Sequence, residues 1–309
     1  MNKYISDLLI FIESIDINKN LLSHEICEVD GEKSHFKSTS YVGISQPKKY
    51  SFSINQTAIF MLLDAIIDHS HPSLMNEGFK YKYNHLPENR ASDKVIKGTF
   101  RVLRVLRNAL IHEVDALQEK SETISIIRKK GSKESMQIKR KAINILNFIV
   151  WYSAKNDLSL YYNELVIVCA YNCLVADIVE INDDIAEKLL PLSFDTKLRT
   201  FRRYEVSGVK VETVGNKMII QRVSFVHDLP DGNTGVIHKG VVTGSADYVI
   251  NIDGKTYFIP DECLSIDKDD KTGYLLLNDL CKFEKKHVLQ THPKLSLIIK
   301  LMFYIKTLC

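Results

Sequence analysis

The chain has 309 residues, 45% hydrophobic and 26% charged, which places it among globular proteins and excludes a disordered, collagenous or membrane-embedded one. Net charge is only +3, yet between Arg90 and Lys141 there are 14 Lys and Arg against 6 Asp and Glu, leaving 27 against 32 elsewhere. A basic centre of that kind suits a polyanion-facing surface, and equally a solvated helix face.

With 13 Gly and 7 Pro, breakers are scarce and long helices are expected. The cysteines (Cys27, Cys169, Cys173, Cys263, Cys281 and Cys309) form no C-x-x-C pair, so neither a zinc ribbon nor a thioredoxin motif is expected. Free thiols in a reducing compartment are the simplest account. Asp7 and Glu13 leave too short an apolar run between them for a signal peptide. The expectation is a cytoplasmic protein with no membrane span.

Apolar residues at helical spacing (Tyr4, Leu8, Leu9, Phe11, Ile12, Ile15) predict a first helix over 3–15. A loop with short strands follows over 28–50, then an apolar second helix over 54–68 and a polar connection over 69–92. Ser92-Asp93 reads as an N-cap opening a helix that runs to about Leu117. Thr123 to Ile127 and Ser135 to Ile138 flank a basic turn and predict a hairpin. Two more helices are expected, at about 140–154 and 159–189, the second apolar nearly all round and hence central in a bundle.

Beyond residue 200 the pattern changes. Over 204–280, β-branched runs are separated by Gly215-Asn216, Asp231-Gly232, Asp253-Gly254 and Lys271-Thr272-Gly273, which predicts a small antiparallel sheet or barrel. A short apolar helix closes the sequence over 295–305, with Leu295, Ile298, Ile299, Met302, Phe303 and Ile305 in its stripe. The expected fold class is α+β: an α-helical domain over 1–200, then a β-rich accessory domain over 201–309.

The helix over 94–117 concentrates the chemistry. At about 100° per residue, Val95, Ile96, Val102, Leu103, Leu106, Leu110, Val114 and Leu117 fall on one arc. Lys94, Lys97, Arg101, Arg104, Asn108, His112 and Asp115 fall on the other, with Arg107 at the boundary. An exposed imidazole among these cations would have a lowered pKa and serve as a base near neutrality. The string Arg107-Asn108-x-x-x-His112 arises by chance about 0.02 times in a chain of this composition.

On a helical bundle, R-N-x-x-x-H resembles the HEPN superfamily, whose competent members are metal-independent endoribonucleases, many of them toxins or anti-phage effectors. The resemblance covers residues 1–190 in expected architecture, and Arg107, Asn108 and His112 in motif. Val114 stands where many toxin–antitoxin relatives carry a Tyr. The resemblance implies Arg107, Asn108 and His112 as catalytic residues, a homodimer with the site at its interface, and an antitoxin or phage-protein trigger as a further partner. Lys97, Arg101 and Arg104 are expected to grip the RNA backbone.

The chemistry is intelligible from the residues. RNA cleavage needs a base for the 2′-OH, an acid for the leaving 5′-oxygen and a cation for the charge growing on phosphorus. Residues five apart on a regular helix diverge by about 140°. The pair therefore needs either a distorted helix or a second copy. A catalytically silent bundle that binds RNA or a protein is the alternative.

Other constellations carry less. Asp68-His69-Ser70-His71 reads as a helix terminus rather than a metal site, and Asp267-x-Asp269-Asp270 as a hairpin turn rather than a calcium loop. No P-loop or dinucleotide fingerprint occurs. Neither a metal nor a cofactor is expected. The β-rich part is expected to do no chemistry and to regulate or target the nuclease.

Overall fold

The computed structural model describes residues 3–14, 17, 21–30, 33–37, 52–112, 117–120, 122–127, 134–223, 227–228, 241–242, 245–266 and 271–285. In chain order its first half contains α1 (Lys3–Ser14), β1 (Ser23–Asp30), β2 (Lys33–Lys37), α2 (Phe52–Ser70), α3 (Phe79–His85) and α4 (Ala91–His112). Then come β3 (Leu117–Glu119), β4 (Thr123–Ile127), β5 (Ser135–Lys139), α5 (Arg140–Lys155), α6 (Tyr161–Asp177) and β6 (Ile178–Asn182). The second half holds β7 (Arg202–Ser207), β8 (Val211–Val214), β9 (Lys217–Gln221), β10 (His227–Asp228), β11 (Val241–Val242), β12 (Ser245–Ile252), β13 (Lys255–Pro260), β14 (Ser265–Ile266) and β15 (Thr272–Leu276). The α+β class is as expected.

Helices α1, α2, α4, α5 and α6 share one core. Every residue from Leu165 to Tyr171 of α6 is buried, as its all-round apolar run requires of a central helix. Phe60 of α2, Phe79 of α3 and Phe100 of α4 interlock, with centroids 5.2 Å apart for Phe60–Phe79 and 5.7 Å for Phe60–Phe100. Helix α4 lies close to α6 at Gly98, where any Cβ would overlap the buried Tyr171 ring. That contact explains a glycine in mid-helix, which otherwise costs about 1 kcal/mol against alanine.

The expected hairpin is the antiparallel pair β4–β5, and the sheet extends to four strands in the order β3-β4-β5-β6. Two expected helix ends move as a result. Helix α4 stops at His112, and Leu117 instead pairs with Ile126 as the start of β3. Val114 and Asp115 lie outside the described residues. Helix α6 ends at Asp177, and Ile178 to Asn182 pair with β5. Ile178, Val179 and Ile181 suit a strand, and β5 would otherwise be a bare edge. The polar connection over 69–92 also hides α3, whose seven residues are too few for a clear period.

The strand-rich part is not a purely antiparallel unit built after residue 200. Its main sheet has the order β13-β12-β7-β1-β2, and β7 runs parallel to both β1 and β12. Strands from the first thirty-seven residues thus complete it, and a cut at 200 divides the sheet. A second sheet has the order β14-β15-β9-β8. Gly215-Asn216 joins β8 to β9, and Asp253-Gly254 joins β12 to β13 with both residues at positive φ (49° and 76°), the two-residue pattern favoured in hairpins. Gly273 lies within β15, paired with Ile266 and Ile220, so no turn forms there. Asp231-Gly232, the acidic run over 267–270 and the 295–305 stripe lie outside the described residues.

The halves meet across α6. The Tyr162 hydroxyl donates to Asp247 Oδ2 at 3.0 Å, and its ring packs edge-on to Phe258 at 4.8 Å. Fully buried Arg203 engages Asp247 and donates to Glu262 Oε1 and Oε2 at 2.7 and 2.9 Å.

Candidate active site

Helix α4 is anchored at its start by two carboxylates. Asp93 accepts the Arg90 backbone N–H at 3.0 Å, one arm of a capping box. Glu164 of α6 accepts the Ser92 N–H and hydroxyl at 2.9 and 2.8 Å. Capping is thus supplied by the third helical residue and a neighbouring helix, not by Ser92-Asp93 as the cap itself.

The middle of the polar arc of α4, at Arg101 and Arg104, does not face solvent as expected. Residues 183–187, directly after β6, cross it and supply acceptors. Arg101 is 2% exposed and grips Asp183 with two bonds, Nε to Oδ2 at 2.9 Å and Nη2 to Oδ1 at 2.6 Å. It also donates to the carbonyls of Ile185 and Glu187. Burial opposes the Arg101 charge, but the bonds to Asp183 and to Tyr83 outweigh it and hold the guanidinium pKa above the ordinary arginine value. Arg104, 4% exposed, donates to Asp183 at 3.1 Å and Asp184 at 2.7 Å. Chiefly through the Arg104 bond, and then through Lys80, the Asp184 carboxyl is pulled down to about 2. Lys97 pairs with Glu88 and sits 4.7 Å over the Tyr83 ring.

The expected RNA-gripping set of Lys97, Arg101 and Arg104 is therefore corrected. Arg101 and Arg104 are buried, and all three are neutralised within the fold. An arginine buried against aspartates offers no charge to a phosphate. The periodicity placed these residues on one arc, but it carried no sign of the acidic segment that covers it.

Arg107, one further step along the same row, differs. Its guanidinium lies 5.1 Å over the Phe79 ring, and Nη1 donates to Asn108 Oδ1 at 3.2 Å. Among the described residues no carboxylate pairs with it. Asn108 Nδ2 lies 3.5 Å from Glu134 Oε2, at the outer limit of a hydrogen bond. Glu134, just before β5, is also 3.8 Å from Arg104. The structure thus brings Arg107 and Asn108 together and supports them on Phe79 and Glu134. His112 is the last residue of α4, and its side chain lies outside the described residues.

Helix α4 is unbroken from Ala91 to His112, so no helix distortion at Asn108 draws Arg107 toward His112. On a regular helix their Cα atoms are separated by about 7.5 Å of rise. Sequence reasoning missed Phe79, Glu134, Asp183 and Asp184. The adjacent Asp183-Asp184 pair was the available signal, since two acids are out of place inside an apolar helix.

Among the described residues no group of three or more His, Cys, Asp or Glu is placed to hold a metal ion. No helix among them is long and apolar enough to cross a membrane. The fold and site together define an α+β protein with a buried arginine–aspartate lattice and, beside Asn108, an arginine that pairs with no carboxylate among the described residues. Comparison of the chain with family models, with curated proteins and with solved structures finds no match in any of the three.

Proposed function

We propose that this protein is a metal-independent endoribonuclease of the HEPN type, with Arg107, Asn108 and His112 at its active site. The observation that carries the reading is the fate of the arginine row. Arg101 and Arg104 are consumed by Asp183 and Asp184, while Arg107 keeps its charge without a carboxylate partner among the described residues. A guanidinium held on an aromatic ring and oriented by an amide suits the charge that grows on a cleaved phosphodiester. His112 supplies the base for the 2′-OH or the acid for the 5′-oxygen.

The continuous helix makes two copies the natural way to combine these groups, with Arg107 and His112 of both chains lining one groove. Ile111, 47% exposed beside this segment, provides apolar surface for such a contact. The reading carries with it a role in growth control or anti-phage defence, held in check by an antitoxin or set off by a phage protein. The strand-rich part regulates or targets the activity.

The test compares wild type, Arg107→Ala and His112→Ala on total RNA in EDTA. Wild type is expected to leave 2′,3′-cyclic phosphate ends, and both variants to fold and fail to cut. RNA binding without cleavage by wild type would establish the silent binding module instead. Strict magnesium dependence would place the chemistry elsewhere.

A further inference from the structure

A cavity of about 340 Å³ opens beside α1 and α2, walled by Tyr4, Met61, Pro72 and Met75 and bordered by Asp64 and Asp68. Two of its walls, Met61 and Met75, are large apolar side chains that are 41% and 52% exposed, and Tyr4 stands beside them. Clustered apolar exposure of this kind marks a surface that something covers. The border is also acidic. The single buried ammonium of Lys82 serves both carboxylates, at 2.7 Å from Asp64 and 2.5 Å from Asp68, so that among the described residues two acids share one lysine.

The described chain ends at Lys285, and residues 286–309 hold Lys286, Lys294, Lys300 and Lys306 with no Asp or Glu. Their sequence carries the apolar stripe Leu295, Ile298, Ile299 and Met302, at the spacing of one helix face. A cationic segment with an apolar stripe complements an apolar groove with an acidic border. The described chain departs from beside α6, where Phe283 packs 5.3 Å from Tyr161. From there the segment 286–294 can span up to about 30 Å when extended.

We infer that the groove beside α1 and α2 is the docking site for the C-terminal segment of the same chain, with the apolar residues of 295–305 seated between Tyr4, Met61 and Met75 and the lysines turned to Asp64 and Asp68. The inference makes no use of Arg107 or His112, so it stands or falls independently of the nuclease reading.

The test uses the full chain with a photoreactive benzophenone amino acid at Tyr4 or, separately, at the exposed Met75. A matching far-UV spectrum and melting midpoint confirm that each probe-bearing protein folds. On irradiation, both probes are expected to join peptides from 288–309 within a band of monomer size. Ile298→Glu with Phe303→Glu should lower that yield at least tenfold. Crosslinked dimers would give the groove to a second copy and overturn the inference. So would capture of added phospholipid in its place, absence of tail peptides from both probes, or a yield unchanged by the two glutamates.

Discussion

Replacing Arg101 by alanine separates a structural arginine from an RNA-gripping one. The substitution leaves Asp183, whose side chain is 0% exposed, with Arg104 as its remaining guanidinium at 3.1 Å. It also strips the Ile185 and Glu187 carbonyls of a donor, leaving Asp183 and Asp184 tied to α4 through Arg104. Breaking a buried ion pair by removing one partner costs about 3–5 kcal/mol, and the surviving Arg104 contact argues for the lower end. At 2–4 °C per kcal/mol for a chain of a few hundred residues, a loss of about 3 kcal/mol should lower the melting midpoint by roughly 6–12 °C. The assay is thermal and urea unfolding followed by far-UV circular dichroism, beside RNA titrations at two salt concentrations. An exposed phosphate-binding arginine would behave oppositely, changing stability by less than about 0.5 kcal/mol and shallowing the salt dependence of binding. An unchanged midpoint with weakened, less salt-sensitive RNA binding would refute the buried-lattice argument.

Arg107→Ala and His112→Ala should each lower RNA cleavage at least about 100-fold, the usual contribution of a positioned proton donor or charge stabiliser; near wild-type cutting by either variant would remove that residue from the mechanism. Sedimentation at assay concentration should find the active species dimeric, and a fully active monomer would remove the shared groove. The lowered Asp184 carboxyl, ordinarily 3.8 and here about 2, stabilises the fold above about pH 4, and that contribution is lost as pH falls through 2; Asp184→Asn should flatten the acid limb of a stability–pH curve, and an unchanged limb would remove its role. Gly208, at φ 81°, lies against the Val29 carbonyl where β1 meets β7, so Gly208→Ala should destabilise by roughly 1–3 kcal/mol through strain and overlap. A neutral result in urea unfolding would mean that this junction can open at little cost.

Reading along the chain was sufficient wherever a pattern is local. The apolar periods of α1, α2, α5 and the first part of α6, and the β4–β5 hairpin, follow from side-chain spacing alone. So does the R-N-x-x-x-H string on α4. Pairings between distant segments left no such trace. The β1–β7 contact joins residues nearly 180 positions apart, and the strands it unites are recruited by edge hydrogen bonding, which any extended segment satisfies. The end of α6 was decided likewise, because Ile178, Val179 and Ile181 fit a helix face or a strand, and the open edge of β5 selected the strand. The cationic arc of α4 is the sharpest case. Helical spacing places Arg101, Arg104 and Arg107 in one row, but only the tertiary fold brings Asp183 and Asp184 across the first two and leaves the third on Phe79. Charge is counted in the sequence, whereas its neutralisation depends on what is folded within 3 to 4 Å of it.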